Sequence, residues 1–504
     1  MKLQMANSSR WYKLLMICLC FAPYSRAQQD GSTVKKNILF IAVDDLRPEL
    51  GCYGAAYMKT PNIDKLARRG MLFENAYCQQ AVCAPSRNSI MTGLRPDAMN
   101  IYDLGTFFRT TAPDVVTLPQ QFKDHGYTSE VVGKIYHMGH GNQDDELSWS
   151  VPSWDYKREV ENLKRVRRGD TTRLESDFPR LDGKHLPYYK SGAPEAQMTD
   201  AIIARIAIER IRELKDKPFF MAVGFKNPHL PFVAPKKYWD LYDPDKIEIP
   251  KREDPEGVSK YAFVRWSGEL KKYYGIDSYK KEGYLPDDLS RNLIHGYYAS
   301  VSMIDAQVGR LMDALDELGL RENTIVVLWG DHGWKLGEYG MWAKHSNTEL
   351  DTRSPLIISD PGFPGGKSSR SLVELVDLYP TLCELSGIEL PGHLQGESLM
   401  PVIKDPAYTV KKVAMSQYPR GKALKNDKTH QEVMGYSVTD GHYRFTRWQS
   451  YENPGIVLDK ELYDHSGGRA DITNLAKFKK YRSVVQRMEK LLDENLEKYR
   501  KASH

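Results

Sequence analysis

Short apolar runs alternate with amphipathic stretches along most of the chain. The runs are rich in β-branched residues and predict buried strands at Asn37–Val43, Tyr127–Val132, Pro218–Gly224, Thr324–Leu328 and Pro355–Ile358. Apolar residues spaced three and four apart predict helices at Asn62–Arg69, Thr117–His125, Thr199–Leu214 and Arg291–Leu318. This alternation indicates an α/β fold in which a mostly parallel sheet is sandwiched by helices.

The pattern changes after about residue 405. Shorter runs predict strands at Val413–Gln417, Val433–Val438 and Tyr443–Trp448, followed by a charged helix at Asn474–Arg500. We therefore expect a large α/β domain over residues 35–405 and a smaller C-terminal α+β subdomain over residues 406–504. Two polar stretches without periodicity, residues 140–198 and 235–290, are predicted to be long surface insertions that shape a binding pocket.

The first thirty residues have the pattern of an export signal. Basic residues precede an apolar run over residues 14–23, and Ala27 ends a small-x-Ala cleavage site. We predict a signal peptide over residues 1–27, with a buried N-terminal helix as the alternative. Elsewhere no run approaches the roughly 18 apolar residues of a membrane helix, so stable membrane insertion is not expected. The single glycosylation sequon, at Asn7, lies in the same segment. This favours a periplasmic or secreted bacterial protein over a lysosomal one.

Composition excludes several classes of protein. The chain has 504 residues, of which 41% are hydrophobic, so it is not disordered. The 71 basic and 66 acidic residues give a formal net charge of +5. No dense basic block accompanies that charge, and binding of nucleic acid is not expected. Six cysteines are too few for a disulfide scaffold of this length.

Polar side chains follow two of the predicted strands. Asp44 and Asp45 come directly after the first strand, and Asp331 and His332 come after the strand that begins at Thr324. Ligands of open parallel sheets collect outside the carboxyl ends of the strands. Three carboxylates and one imidazole at this edge predict a divalent cation site, with Ca²⁺ or Mg²⁺ favoured by the oxygen majority. The alternative is that these residues are turn caps and loop residues.

The segment Cys83-Ala84-Pro85-Ser86-Arg87 opens a predicted helix that runs through Thr92. A helix N-terminus beside residue 83 suits an anion, and Arg87 adds a permanent cation. From these residues alone, Cys83 is either a thiolate nucleophile or a buried structural cysteine.

This segment resembles the C-x-P-x-R core of the type I sulfatases, whose cysteine is converted to formylglycine. The segments VDDLRPELGCYG, TPNIDKLARRG, QQAVCAPSR and GDHGWKLGEYGMWAKHSN are similar to the iduronate-2-sulfatase branch of that family. The resemblance covers nearly the whole chain after residue 27 and weakens in the two polar insertions. It implies an alkaline-phosphatase-like fold with a catalytic domain over residues 35–405. It also implies that a formylglycine-generating enzyme matures Cys83.

The resemblance further implies one Ca²⁺ ion per chain. Its implied ligands are Asp44, Asp45, Asp331, His332 and the formylglycine made from Cys83. Asp331 is in addition the expected base for a hydroxyl of the hydrated aldehyde, since a cation beside that hydroxyl eases loss of its proton.

Catalytic roles are implied for Cys83, Arg87, Lys134, His137, His229 and Lys344. Arg87, Lys134 and Lys344 are expected to stabilise charge on the sulfate oxygens. His229 is expected to protonate the departing sugar oxygen, and His137 to take a proton from the second hydroxyl so that sulfate is expelled.

The implied activity is hydrolysis of a sulfate ester on a polysaccharide or oligosaccharide that contains uronic acid. The 2-O-sulfate of iduronate at the non-reducing end is the expected target, in a glycan of the heparan, dermatan or ulvan type. Two alternatives remain. One is a phosphomonoesterase or phosphonate hydrolase of the same superfamily. The other is a non-catalytic protein that binds sulfated glycans, if Cys83 is not matured.

Overall fold

The computed structural model describes residues 35–153, 179–264, 269–276, 283–421 and 432–501. The predicted signal peptide lies outside these residues and stays a prediction. The helices are α1 (Pro61–Arg69), α2 (Cys83–Thr92), α3 (Pro96–Met99), α4 (Leu118–Asp124), α5 (Thr199–Leu214), α6 (Lys236–Trp239), α7 (Asp287–Glu317), α8 (Glu349–Thr352), α9 (Leu378–Leu385), α10 (Met400–Lys404) and α11 (Arg482–Lys501). The strands are β1 (Asn37–Val43), β2 (Met71–Tyr77), β3 (Thr128–Gly133), β4 (Arg180–Leu181), β5 (Lys184–His185), β6 (Tyr188–Ser191), β7 (Phe219–Phe225), β8 (Phe232–Pro235), β9 (Thr324–Gly330), β10 (Arg353–Ser359), β11 (Lys367–Glu374), β12 (Ala414–Arg420), β13 (Val433–Thr439), β14 (Tyr443–Ser450) and β15 (Val457–Asp464).

The largest sheet has seven strands in the order β11-β2-β10-β9-β1-β7-β3. β10 runs antiparallel to both of its neighbours, and the other pairings are parallel. At the centre, Val43 of β1 pairs with Gly330 of β9 and with Phe225 of β7. The residues that follow β1 and β9 therefore leave the sheet at the same edge. The predicted mostly parallel α/β fold is confirmed.

Apolar layers cover both faces of this sheet. Odd-numbered residues of β1, from Leu39 to Val43, pack with α1, α5 and α7. Even-numbered residues, from Ile38 to Ala42, pack with α2, α4 and α9. Side chains of a strand alternate between faces, so a continuous apolar run such as NILFIAV is buried on both sides. The sheet is thus sandwiched by helices, as predicted.

Two strands of the central sheet are absent from the sequence prediction. β2 contains Glu74 and Asn75, and β11 contains Lys367 and Arg370, so neither is a continuous apolar run. β11 lies at the sheet edge, where polar side chains reach solvent. In β2, the buried Asn75 donates to the backbone carbonyl of Arg370 at 2.9 Å. The polar residues are satisfied in the tertiary structure, which the hydrophobic pattern does not reveal.

The smaller C-terminal part holds an antiparallel sheet in the order β12-β13-β14-β15, covered by α11. This confirms a C-terminal α+β subdomain, whereas the boundary between residues 405 and 406 stays a prediction. The predicted helix from Asn474 begins only at Arg482 and is preceded by two short 3₁₀ turns. Asn474 is buried and bonds to backbone groups, donating to Gly257 and accepting from Leu462, so it ends a loop instead. Among the described helices, none combines the length and apolar character needed to cross a bilayer.

Candidate active site

The ends of β1 and β9 and the start of α2 converge at one edge of the central sheet. Asp44 and Asp45 follow β1, and Asp331 and His332 follow β9. The helix α2 begins at Cys83 itself, so residue 83 lies at the positive end of a helix. The structure thus brings together all five residues predicted to bind a cation.

Cys83 lies between residues of both strands. Its Sγ is 3.5 Å from Oδ1 of Asp44 and 3.4 Å from Nε2 of His332. Burial, with the adjacent Asp44 carboxylate, raises the pKa of the Cys83 thiol well above its ordinary value. The cysteine is therefore a neutral thiol here, and the environment argues against the thiolate nucleophile considered from the sequence.

Arg87 is fully buried and binds protein groups on every side. Its Nε donates to Oδ2 of Asp331 at 2.8 Å, and its Nη2 donates to Oδ1 of Asp44 at 3.1 Å. Its Nη1 donates to the backbone carbonyls of Lys134 and Ile135. The guanidinium holds two carboxylates and the start of the loop after β3 in one arrangement. Its predicted contact with a sulfate stays a prediction.

Asp45 lies at the centre of a second group of charges. Its backbone is in the left-handed region, with φ of 59°, and its carbonyl accepts from the Tyr297 hydroxyl at 2.8 Å. Its Oδ1 accepts from Lys344 Nζ at 2.8 Å, and its Oδ2 lies 3.9 Å from Nε2 of His229. Lys344 also contacts Glu269, at 2.9 Å. Burial opposes the charge of Lys344, but these carboxylates outweigh it and raise the lysine pKa well above its ordinary value.

Lys134 and His137 follow β3. The ammonium of Lys134 donates to Oδ2 of Asp44. Burial would raise the pKa of Asp44, but Lys134 and Arg87 outweigh it and lower that pKa well below its ordinary value. Burial and Lys134 lower the pKa of His137 to about 3. The His137 ring is therefore neutral near neutral pH, with Nε2 3.3 Å from His140 and a buried Nδ1 that has no hydrogen-bond partner among the described residues.

His229 follows β7 in a loop that fixes its ring. Its Nδ1 lies 2.7 Å from the carbonyl of Leu230, which makes Nδ1 the N–H donor and directs Nε2 toward Asp45. Burial and the neighbouring Lys344 lower the pKa of His229. Its side chain is 31% exposed, so this ring faces the open side of the site.

The donor set fits a divalent cation. Oxygens of Asp44 and Asp331 lie with the Cys83 sulfur within 4.8 Å of one another, and a second group joins Asp45, Cys83 and His332. The Oδ2 atom of Asp45 is buried without a hydrogen-bond partner among the described residues. A buried carboxylate oxygen without a partner is costly, and a cation would satisfy it. Carboxylate oxygens outnumber nitrogen donors, which suits Ca²⁺ or Mg²⁺.

Glu269 is the site residue that the sequence did not reveal. It lies in the polar insertion over residues 235–290, where acidic residues are frequent and no periodicity or strand end distinguishes one of them. Burial opposes its charge, but Lys344, His229 and His345 outweigh burial and hold the pKa of Glu269 below its ordinary value. Proximity in the folded chain is the only signal for it.

The four cysteines of the described chain, Cys52, Cys78, Cys83 and Cys383, are free. Cys78 and Cys383 are buried in the apolar layer under α2. From the sequence alone, pairing among Cys52, Cys78 and Cys383 is an open question.

Comparison with known proteins agrees with the fold. The family model described as Sulfatase matches residues 36–388, and the model for the C-terminal part of N-sulphoglucosamine sulphohydrolase matches residues 337–498. Iduronate 2-sulfatase of Homo sapiens is 35% identical, and the alignment covers 91% of this chain and 92% of that protein. A sulfatase of Formosa agariphila is 30% identical, with 96% and 92% covered.

A solved structure shows the same fold at lower identity. Phosphonate monoester hydrolase from Silicibacter pomeroyi superposes with a TM-score of 0.75 at 20% identity, over 92% of this chain and 96% of that chain. The family match, which extends over most of the described chain, is the stronger finding. The chain belongs to the sulfatase family and is a sulfuric ester hydrolase.

Proposed function

We propose that this protein hydrolyses the 2-O-sulfate of iduronate at the non-reducing end of a polysaccharide or oligosaccharide. The proposal includes a formylglycine made from Cys83 and one Ca²⁺ ion held by Asp44, Asp45, Asp331, His332 and residue 83. The observation that carries it is the position of Cys83, 3.5 Å from Asp44 and 3.4 Å from His332 at the start of α2. The relative named iduronate 2-sulfatase supports the choice of substrate.

Both implied groups suit this position. When formed, the hydrated aldehyde of formylglycine supplies a hydroxyl nucleophile in place of the neutral thiol. When bound, the cation supplies positive charge that favours loss of a proton from a hydroxyl and offsets charge on sulfate.

Lys134 and Lys344 bind sulfate oxygens in the proposed reaction. In the structure each lysine pairs with a carboxylate, Lys134 with Asp44 and Lys344 with Asp45. A dication and a sulfate monoester together bring one net positive charge, so the carboxylates can neutralise the cation while the lysines neutralise the sulfate. Arg87 stays in place and fixes the carboxylates, which keeps the electrostatic environment organised before the reaction.

Three groups of the chain move protons in the proposed reaction. Asp331 accepts the proton of the attacking hydroxyl, and its carboxylate lies within the same group of atoms as residue 83. His229 donates from Nε2 to the departing sugar oxygen, for which it must first be protonated. His137 is neutral and takes the proton of the second hydroxyl at its unpartnered Nδ1, which releases sulfate.

We also propose that the protein is exported, to the periplasm or the exterior of a bacterium. The basis is the signal pattern of residues 1–27 together with the single sequon inside it. A formylglycine-generating enzyme is then the required maturation partner.

The decisive experiment joins mass spectrometry with a substrate panel. The chain is produced in a host that makes formylglycine, and the tryptic peptide containing residue 83 is expected to carry an aldehyde. Sulfate release is then compared for 2-O-sulfated and 6-O-sulfated uronate-containing disaccharides, with the 2-O isomer expected to react faster. An unmodified thiol in a fully active enzyme would overturn the mechanism.

The same assay separates the alternatives. Faster turnover of an aryl phosphate than of the matching aryl sulfate would favour a phosphoester or phosphonate hydrolase. Tight binding of sulfated disaccharides without sulfate release, by protein whose Cys83 stays an unmodified thiol in that host, would favour a glycan-binding protein.

A further inference from the structure

We infer that Glu269 is a specificity-determining residue for the sugar. Its carboxylate accepts a hydrogen bond from the hydroxyl next to the sulfated carbon and excludes a second anionic group from that position. The inference rests on the proposed function, because it requires a sulfate held by Lys344 and a sugar oxygen facing His229.

Glu269 contacts Lys344, which is proposed to bind sulfate, and lies beside His229, the proposed proton donor. Its Oε1 is 2.9 Å from Nζ of Lys344 and 3.7 Å from Nε2 of His345. A carboxylate oxygen of Glu269, a ring nitrogen of His229 and a carboxylate oxygen of Asp45 lie within 4.8 Å of one another. A sugar oxygen that reaches His229 therefore brings its neighbouring ring substituents to Glu269.

Exposure separates Glu269 from the other acidic residues of the site. The side chains of Asp45 and Asp331 are completely buried, whereas that of Glu269 is 15% exposed. The side chain of His229 is 31% exposed, so these two partly exposed side chains line the side from which a sugar would enter. The carboxylates that face the predicted cation lie deeper and cannot serve as the acceptor for a sugar hydroxyl.

A carboxylate at this place does not help to attract an anionic substrate. Ionised carboxylates accept hydrogen bonds and repel other anions. Glu269 therefore strengthens binding of a sugar that carries a hydroxyl at this position and weakens binding of one that carries a sulfate there. In a 2-O-sulfated uronate, carbon 1 carries the glycosidic oxygen, and only carbon 3 offers a neighbouring hydroxyl. Glu269 therefore selects a sugar whose 3-hydroxyl is free.

The test measures binding rather than turnover. In the Cys83→Ala background, which cannot form the aldehyde, calcium-loaded protein is titrated by calorimetry with a methyl 2-O-sulfo-iduronide and with its 3-deoxy analogue. The 3-hydroxyl is expected to strengthen binding about 10- to 100-fold, the usual range for a hydrogen bond to a charged group. When Glu269→Gln is added, the ratio of the two binding constants, with and without the 3-hydroxyl, is expected to fall to about threefold or less. Binding of the 2,3-disulfated sugar is expected to become stronger.

Glu338 offers a matched control. It pairs with Arg47 at 2.8 Å and its side chain is 14% exposed, close to the 15% of Glu269. Glu338→Gln in the same background is expected to leave the ratio between the two sugars unchanged. If Glu269→Gln does not fold, Glu269→Asp, which keeps the charge and shortens the reach by one methylene, is expected to give an intermediate ratio.

The outcomes distinguish the inference from the proposed function. Binding of the sulfated sugars without preference for the 3-hydroxyl would overturn the role of Glu269 and leave the proposed function standing. Failure of Cys83→Ala protein that is shown by elemental analysis to hold calcium to bind either sulfated sugar would count against the proposed function itself. Two bound calcium ions per chain, falling to one in Glu269→Gln, would make Glu269 a metal ligand and overturn the inference.

Discussion

Arg87 and Asp331 form a fully buried ion pair, with Nε of the arginine 2.8 Å from Oδ2 of the aspartate. The other oxygen of Asp331 accepts from the backbone N–H of Asp45 at 3.1 Å. Since Arg87 also binds Asp44, one guanidinium orders the carboxylates at the ends of two neighbouring strands. A single side chain of α2 thus holds the two carboxylates in place.

Replacing Arg87 by glutamine is expected to disorganise the site and destabilise the fold. A buried pair that loses one partner leaves an uncompensated charge, which costs about 3–5 kcal/mol. Sulfate release is expected to fall at least about 100-fold, because small displacements of reacting groups are costly. Urea unfolding and steady-state kinetics measure the two effects. Lys490→Gln, which removes an exposed pair with Glu494, is the control and should change neither.

Removal of the predicted cation is expected to abolish activity and lower the melting temperature. An ion that binds only the folded state at 100 times its dissociation constant stabilises that state by about 2.7 kcal/mol. Addition of Ca²⁺ should restore both properties, more effectively than Mg²⁺. Full activity in protein shown by elemental analysis to be metal-free would contradict the predicted site. In Asp45→Asn, calcium should no longer raise the melting temperature, since an unpartnered ligand oxygen is lost.

Glu349 is expected to make stability depend on pH in the acidic range. Burial would raise its pKa, but Arg444, His465 and Arg469 outweigh burial and lower it to about 2 from the ordinary 4.5. A lowered carboxylate pKa stabilises the fold above the ordinary value, and the contribution is lost as the pH falls from about 4.5 to about 2. A shift of this size corresponds to roughly 3 kcal/mol at neutral pH.

The corresponding variant is Glu349→Gln. Its free energy of unfolding should be lower than that of wild type at pH 7. The difference in unfolding free energy should become smaller as the pH is lowered from about 4.5 to about 2. Urea unfolding at a series of pH values measures it. Glu209→Gln, which removes an exposed pair with Arg205, should show no such narrowing. A constant difference between pH 7 and pH 3 would contradict the assignment.

Gly224 is expected to be indispensable for the position of Lys134. A Cβ atom at Gly224 would lie 2.0 Å from the carbonyl oxygen and 2.2 Å from the carbonyl carbon of Lys134. Because the backbone would have to move to relieve this overlap, Gly224→Ala should lower the free energy of unfolding by about 3 kcal/mol or more. It should also displace Lys134 from Asp44. Gly192→Ala is the control, because its Cβ would meet nothing within 4 Å, and its effect should stay within about 0.5 kcal/mol. Thermal melting and sulfate release measure both variants.

The hydrophobic pattern predicted most of the central sheet but not all of it. β1 and α5 have the bounds that the pattern predicts, because a run buried on both faces and a one-sided apolar stripe are strong local signals. β2 escapes the pattern, since its Glu74 and Asn75 interrupt the run and find partners on β11. The late start of α11 depends likewise on Asn474, whose contacts are made with distant backbone groups.

The candidate site was also predictable only in part. Asp44, Asp45, Asp331 and His332 were predictable because strands β1 and β9 are parallel neighbours, so residues that follow them meet at one edge. Cys83 and Arg87 were predictable from a motif that resembles a known family. What the motif did not reveal is that the Arg87 guanidinium donates to four protein groups, the carboxylates of Asp44 and Asp331 and the carbonyls of Lys134 and Ile135.

The fold class, the family resemblance and the identity of the residues at the strand ends all follow from the amino-acid sequence alone. Those features depend on local periodicity and on short motifs, and both are formed by residues that are close together in the chain. The folded chain is needed to see which carboxylate contacts which cationic side chain, and to see that Glu269 reaches Lys344 and His229 from a distant insertion. Such pairings depend on distances between residues far apart in the chain, and these are set when the sheet, its helices and the insertion pack together.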